Sequence, residues 1–319
     1  MVSTWANVVS DVRGLLRAPQ GDTHRAGVSC WVDDEKVVIT MGQLLDIDRE
    51  RYLQVFGKGS MLVHHALVDH PLFTLDAMAE LADELPPALV GRQRADVEAF
   101  AGGRFDDIGS GPPSETIRDI ERNRARVVLR EIQQVPRYAA LIDECLDVVE
   151  PLVAHREGGM TRRAGYLFIS PSQSVTPVHF DAEHSFLLQV RGTKHVSVSP
   201  LTNASIRRRE LERYYDKKPL DTDTIAAEAA TLRMGPGEGV YIPSFLPHWV
   251  ETEAGLSVSF SIPFYTAWTE RAESVNLINK QLRRVHLSPR PPGRSKGLDY
   301  AKTVAYRSGA AFRRVRERM

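Results

Sequence analysis

Hydrophobic and polar positions change their period near residue 164. Before that point apolar residues recur three and four apart. Residues 3–16 place Trp5, Val8, Val9, Val12, Leu15 and Leu16 at helical spacing. Thr74 to Leu85 predicts a second helix, with Thr74 as its cap and acidic residues in its first turn. Around 101–116, GGRFDDIGSGPPSE is rich in Gly, Pro, Ser and Asp and predicts a loop, with a helix from Ser114 after it. A short β-like VVL at 127–129 and an amphipathic helix over 138–153 follow. Residues 1–160 therefore read as a mainly helical N-terminal extension, with some strands packing on the core.

After Ala164 the texture becomes β-rich. YLFIS (166–170), VTPVHFD (175–181), SFLLQV (185–190), HVSVS (195–199), TLRM (231–234), GVYIP (239–243), HWVET (248–252) and LSVSFSI (256–262) are separated by turn residues, with a charged helix-like insert over 201–230. Eight short strands at this spacing predict a double-sheet jelly roll or barrel over 161–265. Past Phe264 the period is helical again, over Thr269 to Val285 and, after the break SPRPPG, near 300–317. The expected fold is mainly β, a jelly-roll core with helical N- and C-terminal extensions, the last being a basic region over 266–319.

Composition narrows the function classes. Of 319 residues 42% are hydrophobic and 26% charged, which excludes wholesale disorder and a coiled-coil rod. No apolar run approaches the roughly 18 residues of a membrane span, and Asp11, Arg13 and Arg17 interrupt the first twenty, so a cytoplasmic protein is expected. Cys30 and Cys145 stand far apart, which argues against a disulfide framework or thiolate zinc site and for two small core residues. The net charge of zero divides unevenly: residues 1–270 carry −10 and residues 271–319 carry +10.

The chemistry concentrates in the β region. In His179-Phe180-Asp181 the period of two puts His179 and Asp181 on one side of a strand and Phe180 on the other. That motif alone arises readily by chance. His248 opens a later strand just after the turn PSFLPH, where a jelly roll can fold it back onto the first. Two imidazoles and one carboxylate would then hold one face of a metal ion and leave the other face open, as in non-haem Fe(II) oxygenases. Lys194, on the strand after the tight turn Arg191-Gly192, needs an anion if it points inward, and the carboxylate of a 2-oxo acid would serve. Thr176 lies on the approach to His179. His64, His65, His184 and His195 lack a carboxylate at the same spacing and read as ordinary strand or loop residues, and Trp249 as core. FGKGS at 56–60 lacks the length and order of a phosphate-binding loop.

The stretch VTPVHFDAEHSFLLQVRGTKHVSVSP together with GEGVYIPSFLPHWVE resembles the JmjC-type, cupin-like Fe(II)/2-oxoglutarate-dependent oxygenases, particularly the asparaginyl-hydroxylase branch. The resemblance covers 164–264 well and 60–264 loosely. It implies Fe(II) held by His179, Asp181 and His248, and 2-oxoglutarate held through Thr176 and Lys194. The family often has Asn where this chain has Ser185, a further co-substrate position. The family's upstream tyrosine that touches the co-substrate has no match. The implied activity is hydroxylation of a peptide or protein side chain or an amino-acid-like small molecule, with demethylation and desaturation as variants. The family also implies a homodimer formed by the C-terminal helices, here through Trp268, Val275, Leu277, Ile278 and Leu282. Two alternatives stand beside this reading: an RNA-modifying oxygenase using the basic tail, and a metal-free cupin acting as a binding module.

Overall fold

A strand with one apolar face has to turn that face onto a second layer. The computed structural model describes residues 28–32, 35–39, 43–95, 111–123 and 125–316. The expected helix over 3–16 and residues 101–110 of the expected loop lie outside the described residues. Residues 1–43 and 44–319 form separate units. In the first, β1 (Val28–Val32) and β2 (Glu35–Ile39) pair antiparallel, Val28 opposite Ile39.

The second unit contains β3 (Leu45–Asp46), β4 (Met61–His65), β5 (Val90–Arg94), β6 (Ala125–Leu129), β7 (Met160–Arg163), β8 (Tyr166–Ser170), β9 (Val175–Phe180) and β10 (His184–Arg191). They are followed by β11 (Lys194–Val198), β12 (Ala230–Met234), β13 (Glu238–Ile242), β14 (Pro247–Thr252) and β15 (Ser257–Thr266). The larger sheet has the order β3-β4-β13-β10-β15-β8-β6-β5 with β7 beside β15, and the smaller the order β12-β11-β14-β9. The eight strands β8 to β15 divide equally between the two sheets, and this is a double-stranded β-helix. All eight strands anticipated from sequence are present.

Three apolar clusters show which way each strand faces. On the outer side of the larger sheet Phe186, Phe260, Ile262 and Phe264 pack against Met78, Leu81, Tyr138 and Ile142 of the helices Leu75–Glu84 and Pro136–Asp147. The hydroxyl of Thr74 caps the first of these by accepting from the Ala77 amide at 3.2 Å. Between the sheets lie Leu187, Val196, Val198, Met234, Val240 and Val250. On the outer side of the smaller sheet Phe180 and Trp249 pack with Leu201 and Ile225 beneath the insert helices Ala204–Asp216 and Thr222–Ala227. Trp249 is thus a core residue, as expected, and so is Cys145, whose thiol burial pushes up to about 12. Cys30 falls on the hairpin of the first unit, whose side chains are outside the described residues.

The first half supplies more strand than its pattern predicts. β4 reads MLVHH, where two histidines interrupt the alternation, and β5 reads VGRQR, with one large apolar residue. Neither pattern reads as strand, because β5 lines a polar cavity and His65 is satisfied by backbone, its Nε2 3.0 Å from the Gln189 carbonyl oxygen. At the C-terminus the helices Ala267–Arg284 and Lys296–Arg316 pack on each other, with the Lys302 ammonium donating to Asn279 Oδ1 at 2.7 Å. Val275, one of the apolar residues assigned to a dimer surface, is instead fully buried within its own chain. No helix among the described residues is long and apolar enough to cross a membrane.

The β10–β11 turn depends on Gly192, which has φ +74° and leaves room for no Cβ: one built there would lie 2.5 Å from the Leu256 carbonyl oxygen. Gly192→Ala should cost about 1–3 kcal/mol by chemical denaturation. Gly59→Ala, at a position with nothing within 4 Å, should change stability by less than about 0.5 kcal/mol. Equal midpoints for the two variants would show that the turn tolerates a side chain.

Candidate active site

His179 and His248 are direct partners in the β9–β14 pair, their ring centroids 4.1 Å apart. Asp181 follows β9 by one residue, with Oδ2 3.6 Å from His179 Nε2 and 3.5 Å from His248 Nε2. Phe245 fixes this approach. It adopts the left-handed conformation, φ +56°, and its amide donates to the Asp181 carbonyl at 2.7 Å, so the loop entering β14 is tied to the residue leaving β9.

Each imidazole is oriented by its own backbone. Nδ1 of His179 lies 2.8 Å from the Pro177 carbonyl oxygen and Nδ1 of His248 lies 3.1 Å from that of Leu246. A carbonyl only accepts, so both Nδ1 atoms carry the hydrogen, and in the neutral ring each Nε2, on the side of Asp181, keeps a lone pair able to bind a metal. Burial, with His248 beside it, pushes His179 down to about 4. Burial also opposes ionisation of Asp181, but the imidazoles outweigh it and hold the carboxyl down at about 2. For His248 burial disfavours the charged form while the Asp181 carboxylate favours it more, and its pKa rises. With one ligand atom from each residue, the three atoms lie within 4.8 Å of one another. Two donors on one ion with bonds of about 2.1 Å stand about 3–3.5 Å apart, so the set fits a divalent cation with little movement.

Thr176 and His179 are three residues apart and on a regular strand would face opposite sides. The β9–β14 register slips between His248 and Val250, so His179 pairs with His248 while Thr176 pairs with Val250. His248 and Val250 share a face, and the bulge therefore puts Thr176 and His179 on the same side. On β11, Lys194 pairs with Thr252 and Val196 with Val250, which turns Lys194 to that interior face too. It is 4% exposed, and its ammonium lies 5.8 Å from the centre of the Phe168 ring of the opposite sheet. Burial, reinforced by Arg126, pushes its pKa down to about 7.

Thr176, His179, Asp181 and Ser185 all line one cavity of about 300 Å³ between the sheets. His179 and Asp181 keep 24% and 38% of their side chains open, the accessible part of a deeply placed site. The Ser185 and Ser261 hydroxyls bond to each other at 2.8 Å across β10 and β15. The other histidines are engaged elsewhere. His184, on the opposite face of β10, has Nδ1 2.8 Å from the Tyr241 hydroxyl and Nε2 3.1 Å from Glu157. His195 pairs with Glu253 at 2.8 Å.

Sequence reasoning missed Arg126, Gln93 and Glu183, which also line the cavity. Arg126, 3% exposed on β6, donates to the Thr176 hydroxyl and to Gln93 Oε1. Burial, with Arg130 beside it, lowers its pKa to about 10, so it stays charged at neutral pH. A signal existed: in ARVVLR the two arginines fall on one face of a strand whose other face is apolar. Glu183 accepts from the Tyr265 hydroxyl at 2.8 Å, and burial with the Asp181 charge raises it to about 7.

Residues 147–271 match the model of the JmjC domain. No curated protein matches the chain by sequence. Among solved structures, YcfD, a ribosomal oxygenase from Escherichia coli in complex with cobalt and 2-oxoglutarate, is 14% identical with a TM-score of 0.45, covering 84% of this chain and 67% of that one. The same protein in complex with cobalt and succinic acid is 13% identical with a TM-score of 0.42, over the same shares.

A titration of the apoprotein with Co(II) or Mn(II) should give one equivalent of tight binding and a concentration-dependent rise in Tm. His179→Ala and Asp181→Ala should each weaken it by at least about 100-fold. Unchanged affinity in either variant would remove that residue from the ligand set.

Proposed function

We propose that this chain, whose residues 147–271 match the model of the JmjC domain, is an Fe(II)/2-oxoglutarate-dependent oxygenase that hydroxylates a side chain of a peptide or protein or an amino-acid-like small molecule. The observation that carries the reading is the pairing of two features in one interior. Two imidazole lone pairs and a carboxylate converge with their outer side open, and a buried ammonium on the same face has no carboxylate at ion-pair distance among the described residues. A metal-free binding module would leave the buried Lys194 ammonium without an anion.

Bound at His179, Asp181 and His248, Fe(II) would supply the activation of O2 that couples decarboxylation of 2-oxoglutarate to succinate and CO2 with insertion of one oxygen atom into a substrate C–H bond. The chain's own residues do the positioning. The Lys194 ammonium and Thr176 hydroxyl would anchor the distal carboxylate of the 2-oxo acid, setting its other end toward the metal ligands. Ser185 holds its place on the wall through Ser261 and keeps that side of the cavity small and polar. The Nδ1 bonds to Pro177 and Leu246 keep both imidazoles in the ligating tautomer through the cycle. Phe168 and the apolar layer of Val196, Val198 and Val250 exclude water around Lys194.

Incubation with Fe(II), O2 and 2-oxoglutarate should yield succinate, and mass spectrometry of a candidate substrate pool should reveal a +16 product that requires 2-oxoglutarate. Absence of succinate from wild type, with metal bound, would overturn the oxygenase assignment. A pH profile tests the anchor. Lys194 has a pKa near 7 in the free protein, and a bound carboxylate raises it. Below pH 7 the ammonium already exists and affinity for 2-oxoglutarate should be flat. Above pH 7 binding must take up a proton, so Kd at saturating metal should rise by up to about tenfold per pH unit until the raised pKa is passed. Lys194→Met should weaken binding and flatten this limb; an identical limb in the variant would exclude Lys194.

A further inference from the structure

His184 does not line the cavity. It lies on the face of β10 opposite Ser185, fully buried, with its ring stacked between Phe56 at 4.6 Å and Phe264 at 5.3 Å. Its Nδ1 accepts from the Ser244 amide at 3.4 Å and stands 2.8 Å from the Tyr241 hydroxyl, whose oxygen accepts from the Gly57 amide at 3.3 Å. A nitrogen that accepts from an amide carries no hydrogen, so the hydrogen of this ring is on Nε2, which donates to Glu157 Oε2 at 3.1 Å. This is the opposite tautomer to that of His179 and His248. Glu157 is held in turn by the Thr266 hydroxyl, at the cap of the helix Ala267–Arg284, which donates to the same oxygen at 2.8 Å.

Ser244 and Phe245 are consecutive residues of the turn that enters β14. The Ser244 amide is held by His184 and the Phe245 amide by the Asp181 carbonyl at 2.7 Å, so both acceptors come from the one connection between β9 and β10. A residue other than glycine at φ +56° persists only where its neighbours over-determine it, and these two bonds do so. Three residues on, the same turn delivers His248.

We propose that His184, in the tautomer imposed by Glu157, is a positioning residue for the metal ligands: through the Ser244 amide it fixes the turn that sets His248 against Asp181. This rests on His179, Asp181 and His248 as the ligand set and adds a residue that touches neither metal nor substrate. The role needs an acceptor and a donor at fixed spacing on a side chain that its stacked neighbours hold still. Glutamine offers both, through its amide oxygen and nitrogen, whereas leucine fills the space and offers neither.

Co(II) is the probe, because its affinity and its visible d–d bands report ligand geometry without turnover. His184→Leu should weaken Co(II) by roughly tenfold to a hundredfold and change the bands, whereas His184→Gln should stay within about threefold of wild type with the bands unchanged. Glu157→Leu should lose roughly threefold to tenfold, and added to His184→Leu it should cost nothing further, as expected of one chain of bonds. If His184→Leu does not fold, His184→Asn, which keeps an acceptor near Nδ1 but falls short of Glu157, should behave as Glu157→Leu does. Ile142→Ala controls for loss of stability alone: a cavity in the outer core should lower Tm and leave the bands as they are. Unchanged affinity and bands in His184→Leu would overturn the proposal, as would equal losses in the leucine and glutamine variants or the same band change in Ile142→Ala. A wild type that binds no Co(II) would instead overturn the ligand set on which the proposal stands.

Discussion

The single-residue slip between β9 and β14 is the constraint on which the candidate site depends. Without it, a strand carrying Thr176, His179 and, just beyond, Asp181 would send Thr176 to the outer face, into the layer occupied by Phe180 and Trp249. With it, Thr176 and His179 share one wall, and His248 lies directly across from His179. The bond from the Phe245 amide to Asp181 completes the arrangement by coupling the left-handed turn before β14 to the end of β9. A strained turn of this kind persists only where the surrounding structure over-determines it, and here β14, which it enters, and β9, to which it is tied, are both held in the four-stranded sheet.

The rest of the fold explains how so polar an interior is tolerated. β15 is buried along its whole length, with Phe260, Ile262 and Phe264 turned to the outer core and Ser257, Ser259 and Ser261 turned inward. Those serines are satisfied locally. Gln189 donates to Ser257 at 2.8 Å and accepts from Ser259 at 2.6 Å, and Ser261 bonds Ser185. The small inward side chains leave the space that becomes the cavity, and the large outward ones anchor the sheet to the helices of the first half. Burying a phenylalanine is worth about 1.5–3 kcal/mol, so this outer layer offsets the cost of keeping charged groups between the sheets. The cavity is consequently of mixed charge, lined by Arg126 and Arg130 as well as by Asp181 and Glu183.

What could be read along the chain was whatever follows from period and local spacing. The eight strands of the double-stranded β-helix were legible because each is bounded by turn residues and alternates or runs apolar. The helix Leu75–Glu84 was legible from its cap and periodicity, and Ala267–Arg284 from its periodicity. His179 and Asp181 shared a face by the period of two, His248 could be named because its strand opens just after the turn PSFLPH, and Lys194 through the family resemblance. β4, β5 and β7 were not legible. In β4 the exposed Leu62 and the buried His65 reverse the expected order, β5 turns Gln93 to a polar cavity, and β7 reads MTRR, so the alternation that marks a half-buried strand is missing.

The amino-acid sequence by itself therefore determined the two-sheet core, the candidate triad His179, Asp181 and His248 and the unequal division of charge between the body and the C-terminal segment, since each is a property of local pattern. Tertiary structure alone decided three other things. It placed Arg126, from a strand some fifty residues before Thr176, against that hydroxyl. It buried Val275 within its own chain rather than leaving it for a partner. It put Thr176 on the face of His179. The physical reason is common to all three: contacts between distant strands depend on register, and a one-residue slip reverses which face a side chain occupies while leaving the local pattern unchanged.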